Sequence, residues 1–264
     1  MPLLQDGDIS SVEDLRSYES DIQETALAEG LSIEAKIKLA QVEIEAQLTA
    51  SGQRPGEHFV TNGATSALTG PGQASVRFDS AQVVVTPPLK MWHVFQALSL
   101  FYRDANSRRT NDQATTKWIE YKELGKWSAD LLFQTGVGLV YVPIRRPSEI
   151  EISTSPSPLD SLSLLVRASW VRGEQEGAAS IARAVTTPAG QALTVGMPEP
   201  PTSATGWNVY VGATGTEVRL QNSNPLPLGQ PWTMPAAGLA DGRGPGEGQS
   251  PDAFRTIPRF IWRG

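Results

Sequence analysis

Few residues in this chain are of the types that do covalent chemistry. It has two histidines, His58 and His93, no cysteine, and 28 aspartates and glutamates. Without cysteine there is no thiolate nucleophile, thiolate metal site or disulfide framework, and the redox compartment stays open. A Ser/His/Asp triad would need His58, in a loop-like stretch, or His93, in the apolar run Met91–Phe95, and no spacing marks its partners. His93 stands beside Trp92 and reads as a satisfied core or interface histidine rather than a metal ligand. No spacing singles out a carboxylate pair for glycoside hydrolysis. Gly125-Lys126 lacks the upstream glycine of a phosphate loop and is followed by Trp127. The run "GRGPGEG" at 242–248 holds Pro245 and opens no helix, so it reads as a linker, not a dinucleotide fingerprint. The expectation is a non-enzymatic protein with no catalytic residue, metal ligand or cofactor.

The residues that stand out are adhesive. The last segment, "AFRTIPRFIWRG", interleaves Phe254, Ile257, Phe260, Ile261 and Trp262 with Arg255, Arg259 and Arg263. So many large apolar groups are rarely left idle in solvent. The segment either folds back on its own domain or anchors in a partner's groove. The Gly/Pro linker before it, "AGLADGRGPGEGQSPD", should be flexible and let it reach away, which favours the anchor. The candidate partner-binding residues are therefore Phe254, Arg255, Ile257, Arg259, Phe260, Ile261, Trp262 and Arg263. A second candidate surface is the strand around Trp207 and Tyr210, whose aromatics either fill a core or face a host glycan or surface protein.

Charge bounds the partners. The 264 residues carry a net charge of −6, which argues against broad nucleic-acid binding, since phosphate neutralisation needs a basic surface. Residues 1–49 hold 3 basic and 11 acidic side chains, whereas all eight basic residues from 151 onward are arginines, against nine acids. The acidic head is a solvated face or the complement of a basic partner. No secretory signal and no membrane-length apolar run is visible, so synthesis in the cytoplasm is expected.

The elements that must position these groups change character midway. A helix is predicted from Ser10, with Glu13 completing a capping box, to a stop at Gly30. A second follows Ser32, with Ile33, Ile37, Ile44 and Leu48 as a stripe, and ends at Gly52; its other face, with Lys36, Lys38, Glu43 and Glu45, reads as solvated. Residues 51–82 form a long loop, either mobile, or ordered against a partner, or holding a strand pair at Phe59–Thr61 and Val76–Phe78. A third helix starts at "TPPLKMWH", with Pro88 in its first turn and apolar residues around most of its circumference. A fourth follows Asn111 or Asp112, with Trp118, Tyr121, Leu124, Trp127 or Ser128, and Leu131 inward. Beyond Glu149, strand-like runs at Leu162–Val171, Ser180–Val185, Ala192–Val195, Trp207–Val211 and Val218–Gln221 predict an antiparallel sandwich.

Two stretches resemble known families. "DLRSYESDIQETALAEGLSIEAKIKLAQVEIEAQL" and "VVVTPPLKMWHVFQALSLFYRDANSRRTNDQATTKWIEYKELGKWSADLLFQTGVG" resemble the helical head–tail connector (adaptor) proteins of tailed bacteriophages, across most of residues 8–142. "LLVRASWVRGEQEGAAS" and "TGWNVYVGATGTE" are similar to fibronectin type III or immunoglobulin-like modules, over about residues 150–238. The smallest connectors are helical only, so the β module departs from them. The resemblance implies a ring, usually of twelve copies, beneath the portal protein at the virion neck. Such a ring would bind the portal and downstream neck or tail proteins, and genomic DNA would pass through it without sequence-specific contact. It also implies a C-terminal segment that inserts into the portal, a role the tail from Phe254 to Trp262 matches by position. The expected architecture is α+β in two domains: a four-helix connector-type bundle over 1–145, a β-sandwich over 146–240, and a linker with anchor tail over 241–264. Assembly in the host cytoplasm and no membrane contact follow. The alternative reading is a host-surface or glycan-binding module, or another neck or tail accessory protein. A cell-wall or polysaccharide hydrolase is motivated only by the number of acids.

Overall fold

The computed structural model describes residues 1–52, 79–108 and 112–256. The chain is α+β, with helices in its N-terminal part and antiparallel sheets in its C-terminal part. It divides into two units: residues 7–141 with the described residues from Pro251 on, and residues 1–6 with 142–250. The expected boundaries at 145/146 and 240/241 are therefore displaced. The first six residues go with the sheets, where Asp6 bonds the Arg146 backbone and guanidinium, and residues 241–250 stay with the sheets too.

The helical unit holds five helices among its described residues: α1 (Val12–Arg16), α2 (Ile22–Glu29), α3 (Ile33–Gly52), α4 (Pro87–Arg108) and α5 (Asp112–Thr135). The single helix expected from Ser10 to Gly30 is thus two, and the count is five rather than four. Ser11, not Ser10, caps α1, and Asp14 closes the capping box. The break lies at Ser17–Asp21, where the Ser17 hydroxyl donates to the Asp14 carbonyl and the Ser20 hydroxyl to the Asp21 carboxylate. Short polar side chains of this kind compete with helical hydrogen bonds. Gly30 ends α2 in the left-handed region at φ 62°, as expected of a C-cap glycine.

The α3 stripe of Ile33, Ile37, Ile44 and Leu48 is buried, with Ala40 between. The opposite face is less solvated than expected: Lys36 pairs with Asp104 of α4, and Glu43 accepts a hydrogen bond from Gln96 at 2.6 Å. Leu89, Trp92, Phe95, Leu98 and Phe101 bury α4 almost completely. The buried face of α5 is Tyr121, Gly125, Ser128, Ala129 and Leu132, with Trp118 and Leu124 partly covered. A stripe of small residues lets the two backbones approach, and a Cβ on Gly125 would lie 3.7 Å from the Gln96 amide. Trp127 falls off that stripe and is 54% exposed, so of the two alternatives at that turn Ser128 points inward.

Ten strands are described: β1 (Val137–Leu139), β2 (Glu151–Pro156), β3 (Leu162–Arg172), β4 (Gln175–Glu176), β5 (Arg183–Thr187), β6 (Gln191–Gly196), β7 (Gly206–Gly212), β8 (Arg219–Leu220), β9 (Trp232–Thr233) and β10 (Ala253–Arg255). One sheet runs β2-β6-β9; a second runs β4-β3-β7-β8, with β5 also on β3; all pairings are antiparallel. Their apolar faces share one cluster, in which Leu164, Val166, Ala168 and Trp170 of β3 and Trp207, Val209 and Val211 of β7 meet Leu193 and Val195 of β6. This is the period-2 alternation of a strand with one face in a core. The fifth strand begins at Arg183 rather than Ser180, whose hydroxyl instead accepts the Ala168 N–H at 3.0 Å. The turn-rich stretch after Asn222 closes the edge, with Leu226 and Trp207 exchanging backbone hydrogen bonds of 2.8 and 3.0 Å.

Candidate functional site

The expected anchor begins as a strand. In β10, Arg255 lies opposite Val137, Phe254 opposite Gly138 and Ala253 opposite Leu139. Ala253 is 1% and Arg255 4% exposed, and Phe254 is half-buried. The expectation that Phe254 and Arg255 belong to a free tail is corrected for these two residues. The reason is backbone satisfaction. Val83 bridges Leu139 on one side of β1, and the other side needs partners of its own, which β10 supplies. The Asp252 N–H donates to the Leu139 carbonyl at 2.9 Å, and its carboxylate accepts the Tyr141 N–H at 2.8 Å. Glycine at 138 admits this approach, because a Cβ there would meet Pro251 and Thr86 side chains at 2.9 Å. Ile257, Arg259, Phe260, Ile261, Trp262 and Arg263 lie outside the described residues, as do His58 and the strand pair expected within 51–82.

The segment expected to be a flexible linker is laid against the sheets. The Gln221 side chain bonds both the N–H and the carbonyl of Ala240, and the Leu220 N–H donates to the Arg243 carbonyl at 2.8 Å. Gln249 is 3% exposed; it accepts the Ile144 N–H at 2.6 Å and donates to the Val142 carbonyl at 3.1 Å. Gly248, at φ 104°, passes where a Cβ would stand 2.4 Å from the Met1 carbonyl oxygen.

Arg243 completes a network around Glu176. One Glu176 oxygen accepts from the Ser169 and Tyr210 hydroxyls and, at 3.1 Å, from the Asn208 amide; the other accepts from the Arg243 guanidinium. Arg243 also lies over the Tyr210 ring, 5.9 Å from its centroid. Burial alone would raise the Glu176 pKa, but these hydrogen bonds overcome it and hold the carboxylate below its ordinary value. Tyr210 is pushed up by burial and by its bond to Glu176, so it stays a hydroxyl donor. Both Trp207 and Tyr210 are 0% exposed, one in the shared cluster and the other under this network. The aromatic surface raised as a glycan platform is therefore covered. Sequence reasoning missed Glu176, because only β3–β7 pairing brings Ser169, Asn208 and Tyr210 around it.

In the helical unit, His93 is fully buried. Its Nε2 lies 3.0 Å from the Ile37 carbonyl and its Nδ1 2.7 Å from the Ser10 hydroxyl. A carbonyl only accepts, so Nε2 carries the proton and Nδ1 accepts from Ser10. Burial pushes the His93 pKa down to about 4. Glu19, in the link between α1 and α2, accepts from the Tyr102 hydroxyl of α4 and the Lys117 ammonium of α5. Burial and that Glu19 bond raise the Tyr102 pKa, which makes it a donor rather than a base. His93, Glu19, Tyr102 and Lys117 thus tie elements together through bonds to protein partners.

Among the described residues, no group of three or more His, Asp or Glu is placed to hold a metal ion, and no helix is long and apolar enough to cross a membrane. No protein-family model, curated protein or solved structure matches the chain.

Proposed function

We propose that this chain is a head–tail connector of a tailed phage: a non-enzymatic subunit of a ring beneath the portal, continuing the DNA channel and offering the tail a docking surface. The helical unit is the connector body, built around the buried helix α4. The sheets form a fibronectin- or immunoglobulin-like sandwich that serves as a spacer or contact surface on the ring. The partners are the portal, neighbouring copies and downstream neck or tail proteins, and the site of action is the virion neck. An acidic N-terminal part suits a conduit, because a negative wall repels phosphates and lets DNA slide.

The observation that carries the reading is the return of the chain to the helical unit at β10. Residues 257–264, which hold most of the apolar and arginine residues of the candidate anchor, follow β10 directly in the sequence. The test is deletion of residues 257–264 alone, since a longer deletion would also strip β1 of β10. The truncated chain should keep its circular dichroism spectrum and lose co-sedimentation with a portal protein from the same genome. Unchanged portal binding would sink the anchor.

A further inference from the structure

A cleft in the sheet unit carries three arginines, and nothing in the reading above uses it. It has a volume of about 730 Å³, and its walls include Arg145, Arg146, Arg183, Asp6, Glu149 and Ile181. The three guanidinium groups are bonded only to neutral acceptors: Arg145 to the Gln5 side chain at 3.5 Å, Arg146 to the Asp6 carbonyl at 3.0 Å, and Arg183 to the Ile150 carbonyl at 2.8 Å. The buried Nε of Arg146 has no hydrogen-bond partner. Asp6, which also accepts the backbone N–H groups of Leu3 and Arg146, and Glu149 offset part of this charge, leaving three arginines against two acids in the walls. Burial, and then the charge of nearby Arg146, push the Arg167 pKa down. At the rim, Ile181 is 77% exposed, the most exposed large apolar side chain of this unit.

The helical unit carries the complement. Leu27 is 85% exposed, the most exposed large apolar residue described in the chain. On α2 and its cap it follows Asp21 and Glu24 at three-residue steps, so the three share one face, and both acids are exposed. The α2 face sets one bare aliphatic group beside two acids, whereas the cleft sets one beside three arginines against Asp6 and Glu149, so the net signs are opposite. Arginine forks suit carboxylates, and desolvation by a leucine–isoleucine contact strengthens them.

We infer that the Arg145–Arg146–Arg183 cleft is a self-association site that receives the Asp21–Glu24–Leu27 face of a second copy of this chain. Leu27 packs on Ile181, and the two carboxylates meet Arg145 and Arg183. Two different patches meet, so the contact is heterologous, and repetition closes a ring or extends a filament. The inference rests on the reading of the chain as ring-forming, but its test contains no portal, so the two fail separately.

The test is sedimentation velocity on the full chain across a concentration series up to ~100 µM, the range of weak specific contacts. The wild type should associate, and less so as salt rises from about 50 to about 500 mM. Arg145→Glu with Arg183→Glu should weaken association by about tenfold or more, as should Asp21→Arg with Glu24→Arg. An equimolar mixture of the two double variants should restore a contact between unlike copies. Because Arg183 also bonds Ile150, Ile181→Asp is a second probe that leaves that bond alone and should weaken association comparably. A wild type that stays monomeric, variants that associate like it, or a mixture without restoration would each overturn the inference. So would salt-sensitive binding of a random-sequence DNA duplex that is lost in the cleft variant while self-association is not.

Discussion

Replacing Glu176 with alanine removes one acceptor from three buried donors at once, Ser169, Asn208 and Tyr210. All three are 5% exposed or less, so water cannot take its place without opening the sheet. A buried donor left unsatisfied costs about 1–3 kcal/mol. Hydroxyl rotation relieves part of this, whereas the Asn208 amide N–H loses its acceptor because Asn222 only donates to the Asn208 oxygen, so about 3 kcal/mol is expected for the alanine variant. Glu176→Gln retains one oxygen and should cost roughly half as much. Arg243→Ala should cost ~1 kcal/mol at most, because the Arg243 side chain is 54% exposed and its ion pair is screened. The sign with pH is fixed by the depressed carboxyl. Its contribution is complete above the unfolded value near 4.5 and is lost as pH falls through the lower folded value. The assay is urea titration read by hydrogen exchange on peptides of β3 and β7, which isolates this unit from the tryptophans of the helices. An alanine variant within ~1 kcal/mol of wild type would refute the argument, as would an Arg243→Ala variant as costly as Glu176→Ala.

The remaining predictions concern the helical unit. The His93 pKa falls from 6.5 unfolded to about 4 folded, so the unfolded chain binds the extra proton and stability is lost as pH falls from about 6.5 towards 4, by about 3 kcal/mol in all. Urea midpoints of the helices at pH 7 and 4.5 check this, and His93→Gln should flatten the difference. Leu132→Ala, at a fully buried position on α5, should cost about 2–5 kcal/mol, whereas Trp127→Ala should stay within about 0.5 kcal/mol. Equal losses in thermal melts would mean that the inward face of α5 has been assigned wrongly.

The helices were legible where a local rule decides them. Gly30 stops α2 because left-handed backbone favours glycine, and the α3 stripe of Ile33, Ile37, Ile44 and Leu48 follows from 3.6-residue periodicity. Reading failed where two local rules competed. Ser10 with Glu13 fits the Ser-x-x-Glu capping pattern, yet the helix is capped one residue later, by Ser11 with Asp14. Ser10 is used instead by a residue 83 positions away, the buried Nδ1 of His93. On α5 the choice between tryptophan and serine was open on periodicity, and packing decided for Ser128.

The candidate sites were less legible because they are made by pairing rather than by pattern. Glu176 is one acid among 28 until antiparallel register sets it against Ser169, Asn208 and Tyr210. Arg243 sits in a run whose glycines and proline give it every mark of a free linker. Yet Gly242 is where it is because a Cβ would strike the Leu220 carbonyl at 2.2 Å, and Gly248 because one would strike Met1. In this segment glycine marks close approach of two backbones, not freedom. The same inversion holds at Gly138, and it changes what the C-terminal residues can do. A tail tethered by a free linker could search a wide volume, whereas one that continues from β10 starts from a fixed edge of the helical unit. At about 3.3 Å per extended residue, the eight residues beyond Thr256 span at most about 26 Å, so any groove they fill must open within that distance of β10.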